Sequence, residues 1–308
     1  MTGPRRSILA GLVGQGVKPS LTPELHEREA QRQGLRYVYK SIDLPDDRLT
    51  EAHLRALLDS AAELGFDGLN VTHPLKQTMM SLVDEVTSDV AAIGALNTVL
   101  FVGDGATVGH NTDVTGFGRA FAAGLPDAAL DGLAILGAGG AGTAVAHALV
   151  RLGARRVLVH DPDEPQADAL VRSVTASDTD VEIRAVGKAE LPAVLEAAPG
   201  LVNATPVGMA AHPGIPLVPE LLRAHLWVVD IVYRPLETDL LRAARAIGCR
   251  TLSGAGMAVH QAADAFELIA GRPADREAMV LDFDALVAAE QDQTSDGNPP
   301  EEGTSNVS

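Results

Sequence analysis

The 308-residue chain has one cysteine, one tryptophan and few aromatic residues of any kind (3 %). Cys249 alone cannot close an internal disulfide, which excludes a cross-linked secreted scaffold and fits a reducing, cytoplasmic setting. With hydrophobic residues at 46 % and so few rings, the interior must be packed from Ala, Val and Leu, as in aliphatic α/β proteins. Cations are also scarce: 24 Lys and Arg stand against 41 Asp and Glu, for a net charge of −17. No basic stripe is available to neutralise phosphates, so nucleic acid is excluded as a partner. Part of the acidic excess is local, because eight acids and no Lys or Arg lie between Glu277 and Ser308. Long apolar runs are missing as well. Residues 133–150 carry no formal charge, but four glycines, Thr143 and His147 interrupt them, so they read as a strand, turn and helix rather than a membrane span. Residues 7–13, after Arg5-Arg6, read as a first strand, since they break into Gly14-Gln15-Gly16 without a signal-peptide cleavage pattern.

The length suits two domains. The most informative stretch is Leu133–Asp161, LAILGAGGAGTAVAHALVRLGARRVLVHD, an apolar run, a glycine cluster, a helical segment and a β-branched run. Gly137, Gly139 and Gly142 stand at G-x-G-x-x-G spacing, directly after the strand and at the start of the helix. That context is the dinucleotide fingerprint: the first glycine turns the chain, the second admits a pyrophosphate, the third packs helix on sheet. The helix N-terminus then faces the phosphates. Asp161 ends the second strand, where a carboxylate can accept from a ribose 2′-hydroxyl.

Around this unit the pattern predicts an N-terminal α/β domain over residues 1–113 and a doubly wound domain over 114–255. Helices near 256–290 return to the first domain, and a disordered acidic tail covers 291–308. In the first part the pattern predicts strands at 7–13, 36–42 and 66–72, helices at 24–33, capped by Thr22, and 49–64, and a helix through Lys76 to about Glu85. A hairpin follows around Gly103-Asp104-Gly105, then a helix at 115–123. In the second part strands are expected at 133–137, 155–161, 181–186, 200–204 and 226–231, with helices at 141–152, 164–174, 189–197, 218–224 and 237–247. Thr251-Leu252 is a last short strand.

Four polar clusters stand at strand ends: Ser20-Leu21-Thr22-Pro23, Asn70 to Lys76, Ala95-Leu96-Asn97-Thr98 and His110-Asn111-Thr112-Asp113. Hydroxyls and carboxamides dominate them, which suits a small polyhydroxylated ligand. Any one cluster alone reads as turn and cap residues. With S-x-T-P, N-V-T-H-P-x-K-Q, G-A-x-N-T, G-H-N-T-D, G-A-G-G-A-G, N-A-T-P-x-G-M and G-x-x-M-x-x-x-Q-A in order over residues 7–285, the chain resembles the shikimate dehydrogenase family. Within it the chain is most similar to the NAD-preferring quinate/shikimate branch, on three features: the Ser20/Thr22 pair, His73 and His110 beside the motifs, and Asp161. Where NADP-using members place arginines for the 2′-phosphate, this chain has Asp161-Pro162-Asp163-Glu164-Pro165-Gln166. Three carboxylates that close to a phosphate are not screened over a Debye length of about 8 Å.

The resemblance implies an N-terminal substrate domain, a Rossmann-type domain and a cleft between them. It implies NAD as cofactor, with NADP the alternative, and cyclitol carboxylates (quinate and shikimate) as substrates. Lys76 and Asp113 are the implied catalytic pair. A base must take the hydroxyl proton as hydride leaves the same carbon. A nearby carboxylate holds a lysine in its ammonium form, so Asp113 is read as orienting while desolvation and the nicotinamide charge oppose it. Ser20, Thr22 and Tyr233 would hold the carboxylate, and Thr72, Asn97, Asp113 and Gln261 the ring hydroxyls. The cofactor would lie on Gly137, Ala138, Gly139, Gly140, Gly142 and Asp161, with Thr205, Pro206, Met209, Val232 and Gly254 on the nicotinamide side. No metal site is expected, and His73, His110 and His260 read as capping or packing groups. An NADP-dependent shikimate dehydrogenase, a relative acting on an amino-substituted shikimate and a non-catalytic cyclitol or nucleotide sensor are the alternatives. A homodimer is the assembly considered.

Overall fold

A computed structural model describes residues 7–103 and 105–295. The chain opens with β1 (Ser7–Gly14), α1 (Thr22–Arg32), β2 (Arg36–Asp43), α2 (Glu51–Glu63) and β3 (Gly68–Val71). β4 (Glu85–Val86), α3 (Ser88–Ile93), β5 (Thr98–Val102) and β6 (Ala106–His110) follow. These strands form one six-stranded sheet in the order β2-β1-β3-β5-β6-β4. β5 and β6 pair antiparallel, as the glycine-rich hairpin predicts, and Asp104 lies outside the described residues.

α4 (Asp113–Gly124) then leads to the second unit. It comprises β7 (Leu133–Leu136), α5 (Gly140–Arg151), β8 (Arg156–His160), α6 (Glu164–Ser177), β9 (Glu182–Ala185), α7 (Leu191–Ala197), β10 (Gly200–Asn203), β11 (Trp227–Asp230), α8 (Asp239–Ala246) and β12 (Arg250–Ser253). All six strands are parallel, in the order β12-β11-β10-β7-β8-β9. The order reverses between β7 and β10, the switch point where open α/β sheets bind ligands beyond the strand C-termini. Finally α9 (Ala255–Ala270) and α10 (Arg276–Ser295) return to the first unit and pack with α1. None of the described helices is long and apolar enough to cross a membrane.

The continuous apolar character of β7 has a direct cause. Leu133 and Ile135 enter one core with α4 and α5, while Ala134 and Leu136 enter the core on the opposite face with α7 and α8. A strand covered on both faces needs no polar alternation.

Several expectations need correction. Residues 76–85 do not form an α-helix: a 3₁₀ turn spans Thr78–Ser81 and the chain straightens into β4. There Asp84 Oδ2 accepts from the Thr107 N–H and hydroxyl, which fastens this segment beside β6. α3, begun by a Thr87 side-chain cap, is a further helix that the periodicity did not reveal. The helix expected at 218–224 is only a 3₁₀ turn at Pro219–Leu221. Thr22 is not a cap but the first residue of α1, and the Ser20 hydroxyl accepts its N–H instead. α10 continues to Ser295, past the start expected for the acidic tail; the remainder of that tail lies outside the described residues.

Candidate active site

The putting together of four chain segments makes the polar centre. Lys76 lies in the turn after β3, where the Leu75 N–H donates to Thr72 O and the Leu96 N–H to Lys76 O. Asp113 is the first residue of α4, and its carboxylate is buried. Lys76 Nζ donates to Asp113 Oδ2 at 2.5 Å. The other carboxylate oxygen accepts from Asn97 Nδ2 at 3.0 Å, from a residue just before β5. Asn97 Nδ2 also reaches Thr112 Oγ1 at 2.8 Å and Gln261 Oε1, on α9, at 3.4 Å. The Asn97 amide cannot turn over, because its Oδ1 accepts from the Thr112 N–H at 2.8 Å and from Thr98 Oγ1 at 3.1 Å. Lys76, Asn97, Asp113 and Gln261 are thus one connected group.

Asn111 starts α4. Its Oδ1 accepts from the Asp113 and Val114 N–H groups at 3.0 and 3.3 Å, and its Nδ2 donates to Ala95 O. This side-chain bridge from helix start to the neighbouring loop aims Asp113 at Lys76.

The Ser20 hydroxyl donates to Thr22 Oγ1 at 3.1 Å, placing both oxygens side by side. Tyr233 faces Ser20, and its ring packs in the cluster of Leu21, Leu25 and Phe283. Burial is the main cause raising the Tyr233 phenol above its ordinary pKa, so it remains a neutral donor. Arg234 donates to Pro19 O and to Glu290 Oε2, joining the loop after β11 to the Ser20 loop and to α10. Thr72 is half-buried beside Gly14, with its N–H on Val13 O.

The glycine turn follows β7. Gly137 has φ +96°, and a Cβ there would come within 2.8 Å of the Ala204 backbone. Any side chain at Gly142 would run into Gly137 O, so this turn tolerates nothing larger. Gly139 is the N-cap of α5 and carries no capping side chain, which leaves the first N–H groups of the helix open to an anion. Asp161 Oδ2 accepts from the Ala138 N–H at 2.8 Å and Oδ1 from the Asp163 N–H at 2.9 Å. The carboxylate therefore faces the glycine turn rigidly and keeps lone pairs for a ribose. The cradle fits a dinucleotide. Gly140 brings it to the polar centre: a Cβ there would lie 3.3 Å from Ala95 Cβ and 4.0 Å from Lys76 Cβ.

The remaining cofactor candidates surround the same edge. Thr205 donates through both N–H and Oγ1 to Asn203 Oδ1, Pro206 and Met209 close a turn, and the Met209 side chain is exposed. Val232 is buried with its N–H on Asp230 Oδ1, and Gly254 has no room for a Cβ against Ile231 O. The histidines differ in setting. His73 is exposed, while burial lowers His110 and His260 below the ordinary imidazole pKa. Asp230 and Thr238 were not singled out by sequence reasoning, and Asn111 and Asn203 stood there only as members of the G-H-N-T-D and N-A-T-P-x-G-M motifs. The one available signal was a polar residue closing an apolar strand, as in Leu-Val-Asn and Val-Val-Asp.

Comparison with known proteins places the chain. The family model described as the shikimate dehydrogenase substrate binding domain matches residues 12–99, and that of the shikimate 5′-dehydrogenase C-terminal domain matches residues 254–280. A relative from Streptomyces avermitilis named shikimate dehydrogenase (NADP(+)) is 54 % identical over 280 residues, 91 % of this chain and 96 % of the relative. One from Corynebacterium glutamicum (strain R) named quinate/shikimate dehydrogenase (NAD(+)) is 48 % identical, over 91 % of this chain and 99 % of the relative. Among solved structures, quinate dehydrogenase from Corynebacterium glutamicum in complex with NAD superposes with a TM-score of 0.83 at 46 % identity, covering 91 % of this chain and 99 % of the other. With identity of this extent over nearly the whole chain, on the same two-sheet architecture, the protein belongs to the shikimate dehydrogenase family.

Proposed function

We propose that the protein is an NAD-dependent dehydrogenase that interconverts quinate with 3-dehydroquinate and shikimate with 3-dehydroshikimate. The observation that carries this reading is the approach of the glycine turn, at Gly140, to the Lys76–Asp113 pair. An electron acceptor seated on the turn then lies beside a proton acceptor.

NAD supplies the hydride acceptor when bound. The chain supplies the rest. Ser20, Thr22 and Tyr233 hold the substrate carboxylate with neutral hydroxyls, which sets the distance from carboxylate to reacting carbon. Thr72, Asn97, Asp113 and Gln261 hold ring hydroxyls, and Asn97 orients Asp113. In the oxidation direction the Lys76 amine takes the alcohol proton as the C–H hydride departs. In the reduction direction the Lys76 ammonium returns that proton to the ketone oxygen. Asp113 keeps Lys76 Nζ aimed at this oxygen and does not itself react. Pre-organisation of this kind is worth several orders of magnitude in rate, because the reacting atoms start close and aligned.

The second reading is an NADP-dependent shikimate dehydrogenase, favoured by the name of the Streptomyces avermitilis relative. Against it stands the acidic stretch Asp161-Pro162-Asp163-Glu164, which offers no cation to a 2′-phosphate. A two-by-two assay of quinate and shikimate against NAD and NADP decides. Turnover of both alcohols with NAD is expected. Turnover confined to shikimate with NADP would overturn the proposal.

A further inference from the structure

Asp230 closes β11, fully buried, with Asn203 at the end of β10 as its register partner. Its Oδ1 accepts from Asn203 Nδ2 at 2.9 Å and from the Val232 N–H at 3.0 Å, and its Oδ2 from Thr238 Oγ1 at 2.7 Å. Each donor opens onto a different stretch of chain. Asn203 Oδ1 accepts from the Thr205 N–H and hydroxyl, and Asn203 Nδ2 donates also to Val207 O. Thr205 Oγ1 accepts from the Val207 N–H, so the whole turn on the nicotinamide side hangs on Asn203. On the other side, Val232 immediately precedes Tyr233, which meets Ser20, and Arg234, which donates to Pro19 O. Thr238 accepts from the Leu241 N–H and so begins α8. All three partners of the carboxylate are neutral donors. The buried group is therefore engaged entirely in holding backbone and side-chain donors, not in an ion pair.

We propose that Asp230 is a positioning residue that registers the nicotinamide-side loop (Thr205 to Met209) against the loop carrying the substrate-carboxylate ligand Tyr233. The inference deepens the proposed dehydrogenase reading and rests on it. Hydride transfer needs donor carbon and acceptor ring at a set distance, and a displacement of about 1 Å costs on the order of a hundredfold in rate. Through its Asn203 and Val232 bonds this one side chain links the two loops, and it acts on the ligands through those two residues.

The test compares Asp230→Ala with Asp230→Asn, using NAD binding by protein fluorescence, KM for quinate and shikimate, kcat, and thermal unfolding. The amide of Asp230→Asn keeps an oxygen toward Asn203 and Val232 and offers its Nδ2 to Thr238 Oγ1. It is expected to stay within about threefold of the unaltered protein in both affinities, whereas Asp230→Ala is expected to lose about tenfold in each together with kcat. Folded Asp230→Ala with a lower melting temperature but unchanged NAD Kd and KM would overturn the proposal. So would Asp230→Asn as impaired as Asp230→Ala, since charge rather than position would then be at work. If Asp230→Ala yields no folded protein, Thr238→Val, which removes the Oδ2 contact together with the α8 cap, must still weaken both ligands severalfold; unchanged constants would overturn the idea. Absence of NAD binding or turnover by the unaltered protein would instead refute the dehydrogenase reading, before any variant is compared.

Discussion

Replacing Asp161 with asparagine should move cofactor preference more than any other single change. Two effects combine. A 2′-phosphate carries up to two negative charges, and one carboxylate about 5 Å away opposes it by about 1.7 kcal/mol even at the dielectric constant of water. Removing that charge should therefore shift the ratio of kcat/KM for NAD over NADP by about fifteenfold toward NADP. The second effect follows from the hydrogen bonds. Asp161 accepts from the Ala138 N–H with one oxygen and from the Asp163 N–H with the other. An amide has only one oxygen, so one of these N–H groups would face an NH₂. A lost partner of this kind costs about 1–3 kcal/mol, so absolute kcat/KM with NAD should fall about tenfold or more. Asp163 and Glu164 remain, so NADP should not become a good substrate. Initial rates over a grid of both cofactors at saturating shikimate give all the constants. An unchanged NAD-to-NADP ratio would refute the reasoning, because the carboxylate would then have no part in reading the ribose.

Three further outcomes are expected. Lys76→Ala should reduce kcat by several orders of magnitude while leaving NAD affinity, read by fluorescence titration, nearly unchanged; comparable loss of both would remove Lys76 from the proton-transfer role. Gly142→Ala should abolish NAD binding, because the new methyl meets Gly137 O, while leaving shikimate binding by calorimetry intact; normal NAD affinity would show that the turn is not the cradle. His26 is buried against Tyr37, Tyr39 and Phe266, and burial lowers its pKa from 6.5 to about 3. Between those values the unfolded chain binds a proton that the folded chain refuses. Its contribution is complete above pH 6.5 and is lost as pH falls toward 3, by up to about 1.4 kcal/mol per pH unit. Burial, aided by the Arg151 charge, lowers His147 to about 4, which acts in the same direction over a narrower range. Urea midpoints of His26→Leu should fall less steeply between about pH 6 and pH 4 than those of the unaltered protein; parallel slopes would count against it.

The nucleotide half was legible because its signals are steric. Strands such as β7 are covered on both faces and read as unbroken apolar runs, and Gly137 and Gly142 stand where a side chain has no room. The stretch after Lys76 misled for a physical reason. Leu75, Met79 and Leu82 recur at helical spacing, and all three do enter one core, but through a 3₁₀ turn held by the Asp84–Thr107 contacts. The motif resemblance singled out Lys76 and Asp113, yet spacing alone could not show that they meet, since 37 positions separate them. Asp230 was invisible for the opposite reason. An aspartate ending a strand looks like a surface acid, and only its burial shows otherwise.

Two helices carry the chain between the sheets, α4 on the way out and α9 on the way back. They are pressed together where Gly116 leaves no space against Gln261 and where a Cβ on Gly256 would lie 3.0 Å from Ala120 Cβ. In mechanical terms this seam is a splice: it fastens Asp113, at the start of α4, and Gln261, on α9, into one tight joint, so this part of the polar centre takes its shape from helix packing and not from the edge of either sheet.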